Sequence, residues 1–263
     1  MDLGLGGKVA LVAAASKGLG RAIAEELGGE GVNLILCARG EPALDATRDA
    51  IVKMSGVDAL SVVADVSVPT DVTRVVDEGL RKFGRIDILV TNAGGPPGGV
   101  FESLSAEMWD AAVRLTLMSA VNLARGVLPG MKERKWGRII NVTSIAVKQP
   151  VNGLMLSNSV RSAVTGFART LANEVAPQGI TVNNILPGYT RTDRVEELAT
   201  AIASREGSSV SEALGGWKAE IPMGRLGEPR ELAALAAFLA SERASYITGT
   251  SIAVDGGWIK GLL

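Results

Sequence analysis

The sequence contains no histidine and only one cysteine among its 263 residues. Without histidine the chain lacks the commonest general base and the commonest metal ligand, so Ser-His and Cys-His nucleophilic schemes are excluded and no metal site is expected. The single cysteine, Cys37, cannot form an internal disulfide and fits a reducing compartment. We expect it to be a small, buried, hydrophobic side chain.

The sequence also lacks an excess of charge, because 27 Lys and Arg stand against 28 Asp and Glu. No segment carries a basic block able to follow a nucleic-acid backbone, so nucleic acid is not an expected partner. No stretch approaches the roughly 18 to 20 uninterrupted apolar residues that a membrane span needs. The apolar run 9–15 follows Asp2 and enters a Gly-rich segment, which is unlike a signal peptide. These features predict a cytoplasmic protein without membrane contact.

Short apolar runs alternate with amphipathic helical stretches, a pattern typical of a parallel sheet covered by helices on both faces. With 47% apolar residues and no repeat or linker-like segment, residues 1–263 are predicted to form one α/β domain. Long helices are predicted at 108–131 and around 160–175. The segment 192–216 departs from the alternation and is predicted to form a lid over the strand ends. Seven strands are expected, at 8–13, 33–37, 59–63, 86–91, 138–143, 181–186 and 251–254.

A Gly-containing turn follows the first strand and leads into a helix predicted at 21–28. Gly18 and Gly20 would let the backbone approach a pyrophosphate, and the free amides at a helix start attract anions. Two glycines alone are a weak signal, and a purely structural strand-to-helix turn is the alternative. The candidate contacts to a cofactor in this turn are Ser16, Lys17, Gly18, Leu19 and Gly20.

Further motifs follow three other strands: Asp65-Val66, Asn92-Ala93-Gly94 and Pro187-Gly188. Each alone has a structural alternative, as a turn former, a tight loop and a strand terminator respectively. Other matching features are Trp109, the segments 137–144, 183–192 and 221–225, and the terminal Asp255-Gly256-Gly257. Taken together, these motifs make nearly the whole chain resemble the classical short-chain dehydrogenase/reductase family, and in particular its 3-oxoacyl-ACP reductases.

This resemblance implies a Rossmann-type, doubly wound, seven-stranded parallel sheet that binds a nicotinamide dinucleotide, and a homotetramer. Ala14 stands where the family usually has glycine, although alanine resists the positive φ that glycine accepts. The cofactor contacts that the resemblance implies are Asp65 and Val66 for the adenine, Asn92, Ala93 and Gly94 in the groove, and Pro187, Gly188, Thr190 and Thr192 around the nicotinamide.

The cofactor is expected to be NADP(H) in preference to NAD(H). After the second strand the chain has Arg39, where an NAD-specific site places an acidic residue on the ribose 2′-hydroxyl. Arg39 and Lys17 could converge on a 2′-phosphate, through charge-assisted contacts of roughly 1.5 to 3 kcal/mol each. The alternative is that both are solvated surface cations.

The catalytic positions depart from the family, whose members use a Ser, a Tyr, a Lys four residues later and an Asn in the preceding helix. Ser144 occupies the Ser position, whereas Ser157, Arg161 and Thr116 occupy the other three. A Ser hydroxyl is a far poorer acid than Tyr and Arg keeps its protons, so the usual proton relay cannot operate. Ser144 and Ser157 could still donate to a developing oxyanion, while Arg161 binds the cofactor ribose and adds positive charge.

The proton would then come from water, Lys148 or Tyr189, although a solvated lysine and an apolar pocket wall are the favoured interpretations of those two side chains. Two functions fit these residues. One is an NADP(H)-dependent oxidoreductase that interconverts a carbonyl and an alcohol by a non-standard proton route. The other is a catalytically silent cofactor-binding protein, acting as a sensor or partner subunit. Leu154, Met155 and Trp217 favour a neutral or hydrophobic carbonyl substrate.

Overall fold

The computed structural model describes residues 2 to 262, without the side chains of residues 205 and 206. All seven predicted strands are present, and their ends differ from the predicted ones by no more than two residues. They form one parallel sheet in the order β3-β2-β1-β4-β5-β6-β7, which is the doubly wound arrangement. The strands are β1 (Val9–Ala13), β2 (Asn33–Ala38), β3 (Ala59–Val63), β4 (Ile88–Thr91), β5 (Gly137–Val142), β6 (Ile180–Pro187) and β7 (Ser251–Val254).

Helices cover both faces of this sheet, as the alternating pattern predicts. Successive side chains of β1 enter opposite hydrophobic clusters, Ala10 and Val12 on one face and Leu11 and Ala13 on the other. Cys37 in β2 is fully buried, and burial raises its thiol pKa to about 12, which confirms its predicted hydrophobic role. The helices of the first face are α1 (Gly18–Gly29), α2 (Glu41–Ser55) and α9 (Pro229–Ala240), and those of the second are α3 (Pro69–Phe83), α5 (Ser119–Arg134) and α6 (Met155–Val175).

The long helix predicted at 108–131 is interrupted. It begins as α4 (Ala106–Ala112), continues as a π-helical segment from Val113 to Met118, and returns to α-helix in α5. The prediction of one regular helix is therefore wrong in its middle, because apolar spacing does not reveal a local change to i→i+5 hydrogen bonding. The π-helical segment contains Thr116.

The helical stretch Ala106–Arg134 also has the length and mean hydropathy of a membrane span. Its side chains Leu123, Val127 and Met131 are buried in the cluster against the sheet. They show that this stretch packs as a core helix of the fold.

Two helices occupy the predicted excursion between β6 and α9. They are α7 (Asp193–Glu206) and α8 (Val210–Glu220), which extend beyond the predicted 192–216. A capping box starts α8, since the Ser209 hydroxyl accepts from the Glu212 amide and the Glu212 carboxylate accepts from the Ser209 amide. We refer to residues 193–220 as the α7–α8 segment.

A row of polar side chains crosses four adjacent strands inside the sheet. The Thr91 hydroxyl donates to the Asn141 side-chain oxygen at 2.7 Å, and the Asn141 amide donates to Asn184 at 3.0 Å. The Asn184 amide in turn donates to the Ser251 hydroxyl at 3.0 Å. These four residues are register partners in β4, β5, β6 and β7. We call them the polar ladder. A shift of one residue in the strand register would separate the partners and leave buried amides without hydrogen bonds.

The turn after β1 holds Ala14 in the left-handed region, with a φ of 50°. This is the conformation that glycine accepts freely, as expected from the position of Ala14 in the turn. Ala15 follows with an ordinary backbone conformation and is fully buried. The turn is therefore strained at one residue and relaxed at the next.

Replacement of Ala14 by glycine is expected to raise the free energy of unfolding by about 0.5 to 1 kcal/mol. The left-handed conformation costs an L-residue roughly 1 to 2 kcal/mol, and glycine avoids this cost. Glycine also has a greater conformational entropy in the unfolded state, which reduces the gain in stability by about 0.5 to 1 kcal/mol. Urea denaturation of Ala14→Gly measures this gain. Ala15→Gly is the matched control and should lower stability; equal effects of the two substitutions would contradict the strain at Ala14.

Candidate functional site

The predicted site residues meet along the carboxyl edge of the sheet. The Gly-containing turn follows β1, Asn92 follows β4, Ser144 follows β5, and Gly188 follows β6. These four strands are consecutive neighbours in the sheet. Their ends therefore form one groove, which is where doubly wound folds bind ligands.

The start of α1 offers unoccupied backbone amides to this groove. No side chain caps the helix at Lys17, and its first turn carries no acidic residue. A Cβ on Gly20 would lie 2.2 Å from the Ala14 carbonyl oxygen and 2.9 Å from the Asn92 side-chain nitrogen, so only glycine lets α1 approach so closely. Gly18 has a φ of 58° and faces the Thr192 side chain. This arrangement fits the pyrophosphate of a dinucleotide.

Lys17 forms an ion pair that the sequence did not predict. Its ammonium donates to the Asp193 carboxylate at 2.9 Å, which raises the Lys17 pKa, and the two side chains are 65% and 66% exposed. Arg39 is exposed at the end of β2. The Lys17 ammonium thus contacts the carboxylate at the start of α7, and its convergence with Arg39 on a 2′-phosphate stays a prediction.

The other residues of the turn and of the β3 end have structural contacts. The Ser16 carbonyl accepts from the Thr47 hydroxyl at 3.2 Å, and Leu19 packs against the core. One carboxylate oxygen of Asp65 accepts from the amide and the hydroxyl of Ser67, while Val66 is buried. Asp65 is thus a turn former here.

The segments after β4 and β6 form the groove walls. Gly94 leaves open space, since a Cβ there would meet nothing within 4 Å. A Cβ on Gly188 would lie 2.7 Å from the Cα of Asp255, so the chain needs glycine after Pro187. The Thr192 hydroxyl donates to the Thr190 carbonyl, and the Thr190 hydroxyl to the Gly188 carbonyl, which shapes the turn into α7.

Ser144 and Ser157 occupy the ends of elements that meet at β5. The Ser144 hydroxyl oxygen accepts from the Ala146 amide at 3.1 Å, which leaves its proton free to donate. Ser157 lies in the first turn of α6 and is 8% exposed. In the part of the chain described, its hydroxyl forms no hydrogen bond. Two hydroxyl donors are therefore available near the end of β5.

Arg161 lies one helical turn beyond Ser157 and ties α6 to β5. Its Nη1 donates to the carbonyls of Val142 and Thr143, at 3.3 and 2.8 Å. Loss of solvation, together with the charge of Arg194, lowers the pKa of Arg161 to about 10. At neutral pH the guanidinium remains charged.

Thr116 and Arg161 line the same small cavity, together with Asn92, Ala93 and Thr143. Its accessible volume of about 10 Å³ is near the minimum that can hold one water molecule. The Thr116 hydroxyl is buried and has no partner among residues 2 to 262. All four predicted catalytic positions are thus near the end of β5 or face it, and the cavity gives the unpaired hydroxyl a polar neighbourhood.

Sequence reasoning missed Asp193 and Arg194. The Arg194 Nη2 donates to the Pro96 carbonyl at 3.0 Å, and its guanidinium lies 3.3 Å from the position of a Cβ on Gly95. Arg194 therefore joins the start of α7 to the loop after β4, across the groove. The sequence shows both charged residues, but it gives no sign of their partners, which lie 176 positions away for Asp193 and 98 positions away for Arg194.

The two side chains weighed as proton donors lie in unequal surroundings. Lys148 is exposed. Tyr189 stacks on Trp217 with ring centroids 4.6 Å apart and meets the edge of Trp258 at 5.9 Å. Burial, with the charge of Glu220, raises the Tyr189 pKa to about 12. Both side chains match the structural interpretations favoured from sequence.

Comparisons with known proteins agree with this geometry. Residues 13–259 match the sequence family described as "Enoyl-(Acyl carrier protein) reductase". The chain is 39% identical over 252 residues to the monensin polyketide synthase putative ketoacyl reductase of Streptomyces virginiae, covering 95% of this chain and 96% of that protein. It is 37% identical over 255 residues to the 3-oxoacyl-[acyl-carrier-protein] reductase FabG of Vibrio cholerae, covering 97% and 98%.

Solved structures show the same similarity. L-sorbose reductase from Gluconobacter frateurii, complexed with NADPH and L-sorbose, superposes with a TM-score of 0.95 at 38% identity, over 100% of both chains. An actinorhodin polyketide ketoreductase with NADPH gives a TM-score of 0.93 at 34% identity, over 97% of this chain and 98% of that one. The groove, its glycine-dependent turn and these matches identify the chain as a member of the classical short-chain dehydrogenase/reductase family.

Proposed function

We propose that the protein is an NADP(H)-dependent oxidoreductase that interconverts a carbonyl and an alcohol. The observation that carries this proposal is the single groove that joins the uncapped start of α1, the free hydroxyl proton of Ser144 and the charge of Arg161. Relatives named as ketoacyl, 3-oxoacyl and sorbose reductases support the reaction class. The similar solved structures that contain NADPH support NADP(H) as the cofactor.

The cofactor supplies a hydride, and this chain's residues hold it in the groove. The amides of residues 18–20 bind the pyrophosphate, and Arg161 binds the nicotinamide ribose. Arg39 binds the 2′-phosphate, together with Lys17 once that side chain leaves Asp193. The remaining contacts come from Ser16 and Leu19 in the turn, Asp65 and Val66 at the adenine, Asn92, Ala93 and Gly94 at the groove floor, and Pro187, Gly188, Thr190 and Thr192 at the nicotinamide.

Arg39→Asp is expected to reduce the ratio of NADPH to NADH affinity by roughly 10- to 100-fold. A charge-assisted contact contributes roughly 1.5 to 3 kcal/mol, and each 1.4 kcal/mol is a factor of ten in affinity. Fluorescence titration with both cofactors measures the ratio. Arg81→Asp, at an exposed arginine of α3, is the control and should leave it unchanged. An unaltered ratio in Arg39→Asp would exclude Arg39 from 2′-phosphate binding.

The proposed chemistry is electrostatic, with water as the proton source. Ser144 and Ser157 donate hydrogen bonds to the carbonyl oxygen as negative charge develops there, and Arg161 adds positive charge. Water is favoured over Tyr189, whose pKa is raised to about 12, and over the exposed Lys148. The cavity beside the unpaired Thr116 hydroxyl has the size and polarity to hold such a water.

Ser144→Ala is expected to lower kcat by roughly 10²- to 10³-fold, the usual effect of losing one donor to an oxyanion. The affinity for NADPH should stay within twofold, because Ser144 contacts the substrate. Initial rates with the best carbonyl substrate and NADPH titration measure the two quantities. Ser162→Ala, an exposed hydroxyl of α6, is the matched control. Full activity of Ser144→Ala would show that the oxyanion contact is not used.

Tyr189→Phe tests the proton source and is expected to keep kcat within about threefold of the wild type. The phenol stacks among apolar rings, and phenylalanine preserves that packing. Steady-state rates and thermal denaturation distinguish a chemical effect from a structural one. A loss of a hundredfold or more in a variant of unchanged stability would instead assign the proton to Tyr189.

The substrate is proposed to be a neutral or hydrophobic carbonyl compound. Its apolar part would pack against Tyr189, Ile145 and Val147, which share one hydrophobic cluster with Trp217 of α8. The α7–α8 segment would act as the lid, since Arg194 and Asp193 already reach across the groove. A cytoplasmic homotetramer, with contacts through the helices 106–134 and 155–175 and the C-terminal segment through Trp258, completes the proposal by family resemblance.

NADPH binding followed by turnover on a panel of carbonyls and alcohols tests the proposal as a whole. Binding with turnover supports an oxidoreductase. Binding without turnover on any substrate would identify the silent cofactor-binding protein. This alternative is considered because Ser157 and Arg161 replace the Tyr and Lys of the family. Absence of binding to both NADPH and NADH at millimolar concentration would overturn both functions.

A further inference from the structure

The two hydroxyls proposed to bind the carbonyl oxygen are joined by a segment that is partly irregular. Ser144 precedes a short 3-10 turn, Ile145–Val147, and Ser157 lies in the first turn of α6. Between the turn and α6 lie residues 148–154, which we call the 148–154 loop. Donors to an oxyanion act at about 2.7 to 3.1 Å from the oxygen, and a misplacement of about 1 Å can cost roughly 100-fold in rate. The contacts that hold this loop therefore affect the chemistry.

A side chain of α6 holds the middle of the 148–154 loop. The Asn158 side-chain amide donates to the Val151 carbonyl at 3.0 Å, and the Asn158 side-chain oxygen accepts from the Val151 amide at 3.3 Å. One half-buried side chain thus satisfies both backbone polar groups of Val151, a task that a neighbouring strand performs in a sheet. This pair of bonds fixes Val151 relative to the helix.

Asn158 adjoins the proposed donor on one side and the apolar pocket wall on the other. Successive residues of a helix are separated by about 100° around its axis, so Ser157 and Asn158 leave α6 in different directions. The Ser157 hydroxyl is buried near the end of β5. Val151, which Asn158 binds, packs in the hydrophobic cluster that contains Tyr189 and Trp217. Asn158 therefore connects the place of the carbonyl oxygen with the place of the substrate's apolar part.

Other contacts hold the two ends of the loop. The Gly153 carbonyl accepts from the Gly99 amide at 2.7 Å, and the Gln149 side-chain oxygen accepts from the Lys260 amide at 3.0 Å. Both partners belong to segments that carry neither proposed hydroxyl donor. Asn158 differs from them, because it is the immediate neighbour of Ser157 on the same helix.

We propose that Asn158 is a positioning residue for the reduction of the carbonyl. By holding Val151, it keeps the hydroxyls of Ser144 and Ser157 directed at one oxygen while the apolar part of the substrate lies against the pocket wall. This inference rests on the proposed oxidoreductase function and on the use of both serines as donors. Asn158 acts through Ser157 and the loop, and its own amide group is turned to the Val151 backbone.

A double-mutant cycle between Asn158 and Ser157 tests the proposal. Asn158→Leu removes both bonds to Val151 at similar size and is expected to lower kcat by roughly tenfold or more, with NADPH affinity within about twofold. In a Ser157→Ala background the same substitution should change kcat by less than about threefold, because the hydroxyl that it positions is gone. Asn173→Leu makes the same change at an exposed position of α6 and is the matched control, which should leave kcat unchanged.

A second variant keeps the test decisive if Asn158→Leu does not fold. Asn158→Asp has the same size and still accepts from the Val151 amide, but its carboxylate cannot donate to the Val151 carbonyl. It is expected to lower kcat by roughly threefold or more, again only where Ser157 is present. Thermal denaturation and NADPH titration show that each compared variant is folded.

Three results would overturn the proposal: an unchanged kcat in a folded Asn158 variant, equal losses of kcat with and without the Ser157 hydroxyl, or full activity of Ser157→Ala. Equal losses would assign Asn158 a general structural role, because an effect that passes through Ser157 cannot persist without it. Failure of the oxidoreductase function itself would appear earlier and separately, as a wild-type protein without turnover, and it would remove both proposals.

Discussion

The positions of the groove residues depend on the polar ladder of Thr91, Asn141, Asn184 and Ser251. Each member hydrogen-bonds its register partner on the next strand, so β4, β5, β6 and β7 have one alignment in which all the buried amides are satisfied. Asn92 follows the ladder by one residue and Ser144 by three. The same alignment brings the Val142 and Thr143 carbonyls to the place where Arg161 binds them. A hydrophobic sheet alone would tolerate sliding more easily, because apolar contacts carry no such direction.

Much of this fold could be predicted from the sequence, because the doubly wound sheet repeats a local pattern. Each apolar run is buried on both faces and each intervening helix has one apolar stripe, so strand number and fold class follow from periodicity. The π-helical segment at Thr116 could not be predicted, since its apolar spacing is that of an ordinary helix. The left-handed Ala14 was foreseen only through resemblance to a family that has glycine there, because nothing in the residue itself favours that conformation.

In the candidate site, too, the features that depend on local sequence patterns could be predicted and the long-range contacts could not. Residues that end strands were found, because parallel strands deliver their carboxyl ends to one edge whatever the rest of the chain does. The contacts of Lys17 with Asp193 and of Arg194 with Pro96 were not found, since they join positions 176 and 98 residues apart across the groove. Their formation depends on where the α7–α8 segment packs, and that is decided by the cluster around Trp258 and Ile221 and by the bond from the Trp258 indole to Glu220. Long-range polar contacts of this kind leave no periodic trace in a sequence.

This site differs from the family pattern in one physical respect: the acid at the tyrosine position is absent, while the positive charge at the lysine position is kept by Arg161. A tyrosine beside a lysine delivers a proton and stabilises an oxyanion with the same group, whereas in the proposed chemistry Ser157 and Arg161 only stabilise the oxyanion and water supplies the proton. In that proposal the hydroxyls of Ser144 and Ser157 orient the carbonyl. The pKa of Arg161 is about 10, so its guanidinium keeps a positive potential in the groove throughout the neutral range. That potential would stabilise the negative charge that develops on a carbonyl oxygen held by Ser144 and Ser157. A site that keeps this charge and has no acid at position 157 is therefore suited to stabilising an oxyanion while the proton arrives from solvent.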